Sequence, residues 1–116
     1  MTYMSATIRL EDGTIYGIYA HYGAIIEVLK QRSIEPVREA IEEDRKAGYK
    51  EAAYELEEGE WRLNYYDCIV VDFKNRIVLD VGNTCFNPRS YLPDFEVHYI
   101  DLIGILESLV EIMFRR

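Results

Sequence analysis

Histidine and cysteine are scarce, with two of each in 116 residues. So few imidazoles and thiols leave little from which to build a metal site or an activated nucleophile. Cys85 and His98 are the nucleophile and base that the composition offers, and no signature of a cysteine enzyme flanks them. His21 and His98 have no second ligand at metal spacing. A phosphate-cradling glycine loop is missing too: Gly17 and Gly23 lie in and after a strand pattern, and Gly82-Asn83-Thr84 is too short. Carboxylates are plentiful, but they follow a helical pattern rather than flanking an aromatic cleft. The expectation is a non-enzymatic protein with no metal and no cofactor.

Basic residues are also short. Lys and Arg total 13 against 21 Asp and Glu, a net charge of −8. That balance argues against direct binding of a nucleic-acid backbone or an anionic membrane. No run reaches the ~18 apolar residues of a membrane span; the most apolar stretch, Tyr99 to Phe114, is interrupted by Asp101, Glu107 and Glu111. Met1 to Leu10 lacks the basic and apolar blocks of a secretion signal. A cytoplasmic location in a host cell is therefore expected, with Cys68 and Cys85 as thiols rather than a disulfide. There is no linker, repeat or low-complexity segment. Residues 1–116 read as one globular domain.

Tyrosine is what the chain has in quantity: ten, with one tryptophan. Tyrosine gives large, rigid contact area with a polar tip, at low entropy cost.

Ala6, Ile8 and Leu10 alternate with polar residues, the mark of a half-buried strand. Asp12-Gly13 predicts a tight turn, and Thr14 to Tyr22 the return strand. Its faces, Tyr16/Ile18/Ala20/Tyr22 and Ile15/Gly17/Tyr19/His21, are both fairly apolar, so the strand is central or touches a partner. Ile25, Ile26, Val28 and Leu29 predict a short helix ending near Ser33. Pro36 suits the first turn of a second helix, carried by Val37, Ala40, Ile41 and Ala47. Gly48 kinks or ends it. Tyr49, Ala52, Ala53 and Leu56 recur at i, i+3, i+4 and i+7 and predict a further helical stretch, stopped by Gly59. Trp61 to Phe73 and Arg76 to Val81 read as strands around a Lys74-Asn75 turn. Gly82 to Pro93 reads as a loop, Phe95 to His98 is ambiguous, and the final segment to Phe114 reads as a helix. The order ββ-αα-ββ-α implies an α+β fold, with an antiparallel sheet packed against helices.

Charge is concentrated in residues 35–60, where ten acids and four bases carry −6 of the −8. Carboxylates spaced along a helix imitate phosphates or fit a basic groove on a partner protein. Glu39, Glu42, Glu43, Asp44, Glu51 and Glu55, with Tyr54, are the candidate partner-binding residues. The same run also fits an ordinary solvated helix face with pairs such as Glu42–Lys46. Tyr19, His21, Phe86, Arg89 and Tyr91 are candidates for a ligand site, since aromatic faces stack bases and Arg pairs with anions. On the C-terminal helix the polar residues fill one narrow arc, and the apolar surplus predicts a homo-oligomer interface through Leu102, Leu106, Leu109 and Met113.

The segments Met4-Ser5-Ala6-Thr7-Ile8, Glu11-Asp12-Gly13-Thr14-Ile15 and Ile18-Tyr19-Ala20-His21 resemble the opening of a class of small phage-encoded proteins. Those begin with a Ser-containing strand, an acidic-Gly turn and an Ile-Tyr-x-His strand. They continue with Trp-Asp-Gly-Tyr, where this chain has Tyr22-Gly23-Ala24. A small, acidic, Tyr-rich, His-poor domain is also similar to phage anti-defence proteins. That group includes anti-CRISPR proteins and the oligomeric sponges of Thoeris anti-defence. The resemblance implies a stoichiometric inhibitor of bacterial defence rather than an enzyme, and the acidic run at residues 35–60 is expected to block a defence protein at a basic nucleic-acid-binding groove. Its alternative is a sponge for a cyclic-nucleotide or ADP-ribose signal. A second alternative is an immunity or assembly module unrelated to phage defence.

Overall fold

Asp12 and Gly13 turn the chain as their residue types predict. Gly13 adopts φ +91°, Thr14 N–H donates to Asp12 Oδ1 at 2.8 Å, and Leu10 N–H donates to Thr14 O at 2.8 Å. The turn joins β1 (Tyr3–Arg9) to β2 (Ile15–His21). It sets the register Met4↔Ala20, Ala6↔Ile18 and Ile8↔Tyr16. These six side chains are all buried, so the alternation read from the sequence is the core face of the hairpin. The fold comes from a computed structural model that describes residues 3–48, 55–59, 67–81 and 87–100.

Helix α1 (Tyr22–Gln31) follows β2 without a loop. His21 supplies its N-cap: the Nδ1 lone pair accepts the Gly23 N–H at 3.1 Å. Arg32, at φ 52°, ends the helix. In α2 (Glu35–Lys46) Pro36 occupies the first turn, where its missing N–H costs nothing, and the Ser33 hydroxyl accepts the Glu35 N–H. Gly48, at φ 84°, terminates α2 by donating to Arg45 O.

Residues 49–54 of the next expected helical stretch lie outside the described residues, and at Glu55–Gly59 the expectation fails. Glu55–Gly59 forms strand β3, antiparallel to β2, with Leu56 opposite Ile18 and Glu57 opposite Gly17. Two of the four residues behind the helical pattern were alanines, which bury little either way. Pairing with β2 decides the segment, because β2 is apolar on both faces and needs a neighbour on each edge.

The remaining described elements are β4 (Asp67–Asp72), β5 (Ile77–Asp80), α3 (Pro88–Tyr91) and β6 (Glu96–Tyr99). The loop expected over Gly82–Pro93 thus contains a short helix, capped by the Asn87 side chain accepting the Arg89 N–H. The ambiguous stretch near Phe95 is an added strand.

The described strands form one sheet in the order β3-β2-β1-β4-β5-β6. Pairs β1–β4 and β5–β6 run parallel, the other three antiparallel. The sheet is mixed, which overturns the expected antiparallel sheet and its ββ-αα-ββ-α order. Once β3 holds the outer edge of β2, β4 pairs on the remaining edge of β1, and it arrives there in the same direction as β1. Residues Ile69, Val70 and Val71 are buried on both faces, as a central strand with a parallel neighbour requires.

One sheet face packs Ala6, Ile8, Ile18, Ile69, Val71 and Val78 against Ile25, Val28 and Leu29 of α1, Val37 of α2 and Leu92. The opposite face carries a second cluster of Val70, Ile77, Leu79, Val81 and Ile100. Each fully buried aliphatic side chain contributes about 1.5–3 kcal/mol. Among the described residues no helix is long and apolar enough to cross a membrane.

Candidate functional site

Helix α2 sits over the β2–β3 edge of the sheet. Val37, Ala40, Ile41 and Asp44 recur at i, i+3, i+4 and i+7 and form its inward stripe, with Val37 fully buried and the others half-buried. Asp44 therefore does not share the outer face with the other acids. Glu35, Glu39, Glu42 and Glu43 are exposed. Two are partly neutralised within the helix, Glu35 by Arg38 at 3.4 Å and Glu42 by Arg45 at 3.8 Å. The helical pairing of Glu42 is thus with Arg45 at i+3 rather than Lys46 at i+4. The carboxylates of Glu39 and Glu43 have no ion-pair partner among the described residues. On the same side of the sheet β3 adds Glu58, while Glu57 points to the opposite face; both are exposed.

A shallow groove of about 300 Å³ lies between α2 and β3, lined by Arg38, Ile41, Glu42, Arg45 and Leu56. Arg38 is held there from below: Nη2 donates to the Tyr16 hydroxyl at 2.9 Å, and the guanidinium lies 5.6 Å from the Tyr16 ring centroid. Leu56, expected on a helix, reaches this groove as a strand residue opposite Ile18.

On the other face of the sheet, the hairpin register makes an aromatic group. Tyr3 and Tyr19 stack with ring centroids 5.7 Å apart and planes at 22°. His21 meets Tyr3 edge-on at 5.6 Å. Tyr3 was not singled out from the sequence. The signal was present, because the Asp12-Gly13 turn places Tyr3 opposite His21 and Ser5 opposite Tyr19.

Arg89 and Tyr91 are elsewhere. Arg89 lies on α3 with its guanidinium 6.0 Å from the Tyr99 ring centroid, and Tyr91 packs on the helix-covered core with Lys30 Nζ 5.8 Å from its ring centroid. Tyr99 shares a sheet face with Val97 of that core, and Tyr19 points to the opposite face. Strands β2 and β6 are four steps apart in the sheet, about 19 Å at roughly 4.8 Å per step. Tyr19 and His21 therefore do not meet Arg89 and Tyr91 around one small ligand within a single copy of the chain. Glu55 is in β3, opposite Tyr19. Glu51, Tyr54, Phe86, Leu102, Leu106, Leu109 and Met113 lie outside the described residues, as does Cys85. Cys68 is half-buried and not in a disulfide.

The titratable groups here are engaged in structure. His21 spends Nδ1 on its cap. His98 Nε2 is 3.0 Å from Glu96 Oε1, within ion-pair range but without hydrogen-bond alignment. Among the described residues no group of three or more His, Cys, Asp or Glu is placed to hold a metal. What the α2–β3 edge offers chemically is non-covalent: exposed carboxylates around an amphipathic groove.

No protein-family model, curated protein or solved structure matches this chain.

Proposed function

We propose that this protein is a non-enzymatic, phage-type inhibitor that binds a bacterial defence protein and occupies its basic surface, as an anti-CRISPR-like blocker would. The observation that supports this reading is the α2–β3 edge. Glu39, Glu42 and Glu43 on the helix and Glu58 on the strand expose four carboxylates along one border, on the helix-covered side of that edge. Spaced carboxylates steer a basic partner and fix its register. The groove at Ile41 and Leu56 gives that border an apolar centre, as interfaces have.

The nucleotide-sponge alternative draws less from the geometry, because its candidate residues lie on two faces of the sheet. Self-association through Leu102, Leu106, Leu109 and Met113 rests on the sequence pattern alone.

The test is capture from bacterial lysate with the unmodified chain and with a Glu39→Lys/Glu42→Lys/Glu43→Lys variant, read by mass spectrometry. The unmodified chain should retain a basic protein and release it between about 0.15 and 1 M salt, as the screening length falls from about 8 to about 3 Å. The variant should not retain it. Equal retention by both chains, or retention indifferent to salt, overturns the reading.

A further inference from the structure

We propose that the outward face of Tyr19 is a receptor for an arginine side chain of a protein partner. This rests on the reading above that the partner is basic, and it names the residue type that the back of the border selects. Tyr19 is 41% exposed although it sits in an inner strand with neighbours on both sides. It is also held in place. Tyr3, which lies toward the His21 end of β2, stacks on one side of the ring, and His21 in turn packs edge-on against Tyr3. A ring already ordered in the unbound protein loses little entropy on binding, which is the property of an interface anchor.

The other side of the ring looks along β2 toward Gly17. Glycine leaves room there: among the described residues, a Cβ at Gly17 would meet nothing nearer than the Glu57 carbonyl oxygen at 4.0 Å. Beyond Gly17 stands Glu57, its partner in the ladder and on the same sheet face as Tyr19. The ladder thus sets an aromatic wall, a glycine floor and a glutamate beyond it in one region of this sheet face. Glu57 takes part in another interaction, and a carboxylate has about four acceptor positions.

A guanidinium fits this arrangement better than the other common ligands of aromatic faces. Its plane lies on the tyrosine ring while its edge N–H groups reach the carboxylate. An ammonium interacts with the ring as a point charge and cannot do both with one planar group. A nucleotide phosphate would be set against Glu57 and a net charge of −8.

The probes are acetylated, amidated hexa-arginine and hexalysine, titrated calorimetrically into the full chain. The unmodified protein should bind the arginine peptide about fivefold more tightly. Tyr19→Leu keeps a strand-forming apolar residue and should remove that preference. Tyr19→Phe keeps the ring and should retain it. Equal affinity for the two peptides, no binding of either, or a preference that survives Tyr19→Leu overturns the proposal. The Glu39→Lys/Glu42→Lys/Glu43→Lys variant separates this site from the acidic helix. If it leaves both affinities unchanged while Tyr19→Leu still erases the preference, the arginine receptor stands and the α2 reading fails. If it weakens both peptides equally and Tyr19→Leu changes nothing, the reverse holds.

Discussion

Asp72 has a fully buried side chain that takes three hydrogen bonds: from Arg9 Nη1 at 3.0 Å, from the Asn75 backbone at 3.0 Å and from Asn75 Nδ2 at 2.8 Å. One carboxylate thus ties β1 to the β4–β5 turn. Asp72→Ala should cost about 1–3 kcal/mol in urea unfolding, because it removes the buried acceptor that Arg9 and Asn75 share. Gly13 carries a different constraint. At φ +91° a side chain is strained even though a Cβ there would meet nothing within 4 Å. Gly13→Ala should therefore destabilise by at least about 1 kcal/mol, read in the same experiment. The Asp12-Gly13 pair was legible in the sequence because its conformational need is local. The role of Asp72 was not, because its partner Arg9 is 63 positions away.

Elements are joined by a second carboxylate. Asp94 accepts from Arg32 at 2.8 Å and lies 3.8 Å from Arg76, linking the end of α1, the β4–β5 turn and the approach to β6. Arg32 and Arg76 are the positive-φ non-glycine residues among those described, at 52° and 58°. Both hold an uncommon backbone conformation while paired to the same group. Partial burial works to raise the Asp94 carboxyl, but its own backbone N–H and the two arginines outweigh that and hold it below its ordinary value. A carboxyl lowered in the fold stabilises above its unfolded value, about 4, and that contribution is lost as pH falls through the folded value. Asp94→Asn should therefore lower stability at pH 6 and lose less further stability than the unmodified chain between pH 5 and 3. A variant whose acid profile overlays the unmodified one would refute the clamp. At this scale the sequence was readable where signals were punctual: Pro36 opening α2, Gly48 closing it, alternation in β1 and β2. It misled at Leu56, whose helical spacing to Tyr49, Ala52 and Ala53 carries less free energy than pairing beside Ile18. The Cys68-Ile69-Val70-Val71 run is strongly strand-forming, but no residue in it states which way its neighbour runs.

For the whole molecule, the net charge of −8 is unevenly placed, with −6 in residues 35–60. Like charges gathered on one border repel, so the folded state is less stable than a neutralised version of itself. Three Glu→Lys reversals at 39, 42 and 43 add two charges each and bring the net charge from −8 to −2. Thermal unfolding of that variant should occur at the same temperature or higher at low ionic strength, with any gain shrinking as salt screens it. A large loss of stability would mean that these acids serve the fold rather than a partner. Composition by itself determined that this is an acidic, Tyr-rich chain, and local pattern determined the first hairpin, the first two helices and the core alternation, because φ preference, capping and side-chain period act over a few residues. Tertiary structure alone decided the rest: that the sheet is mixed, that Glu55–Gly59 is a strand, that Tyr19 and Glu57 share a sheet face, and that Arg89 lies far from Tyr19. Those facts depend on which strand lies beside which, and strand neighbours are chosen by burial and edge satisfaction over the whole chain, which no local window contains.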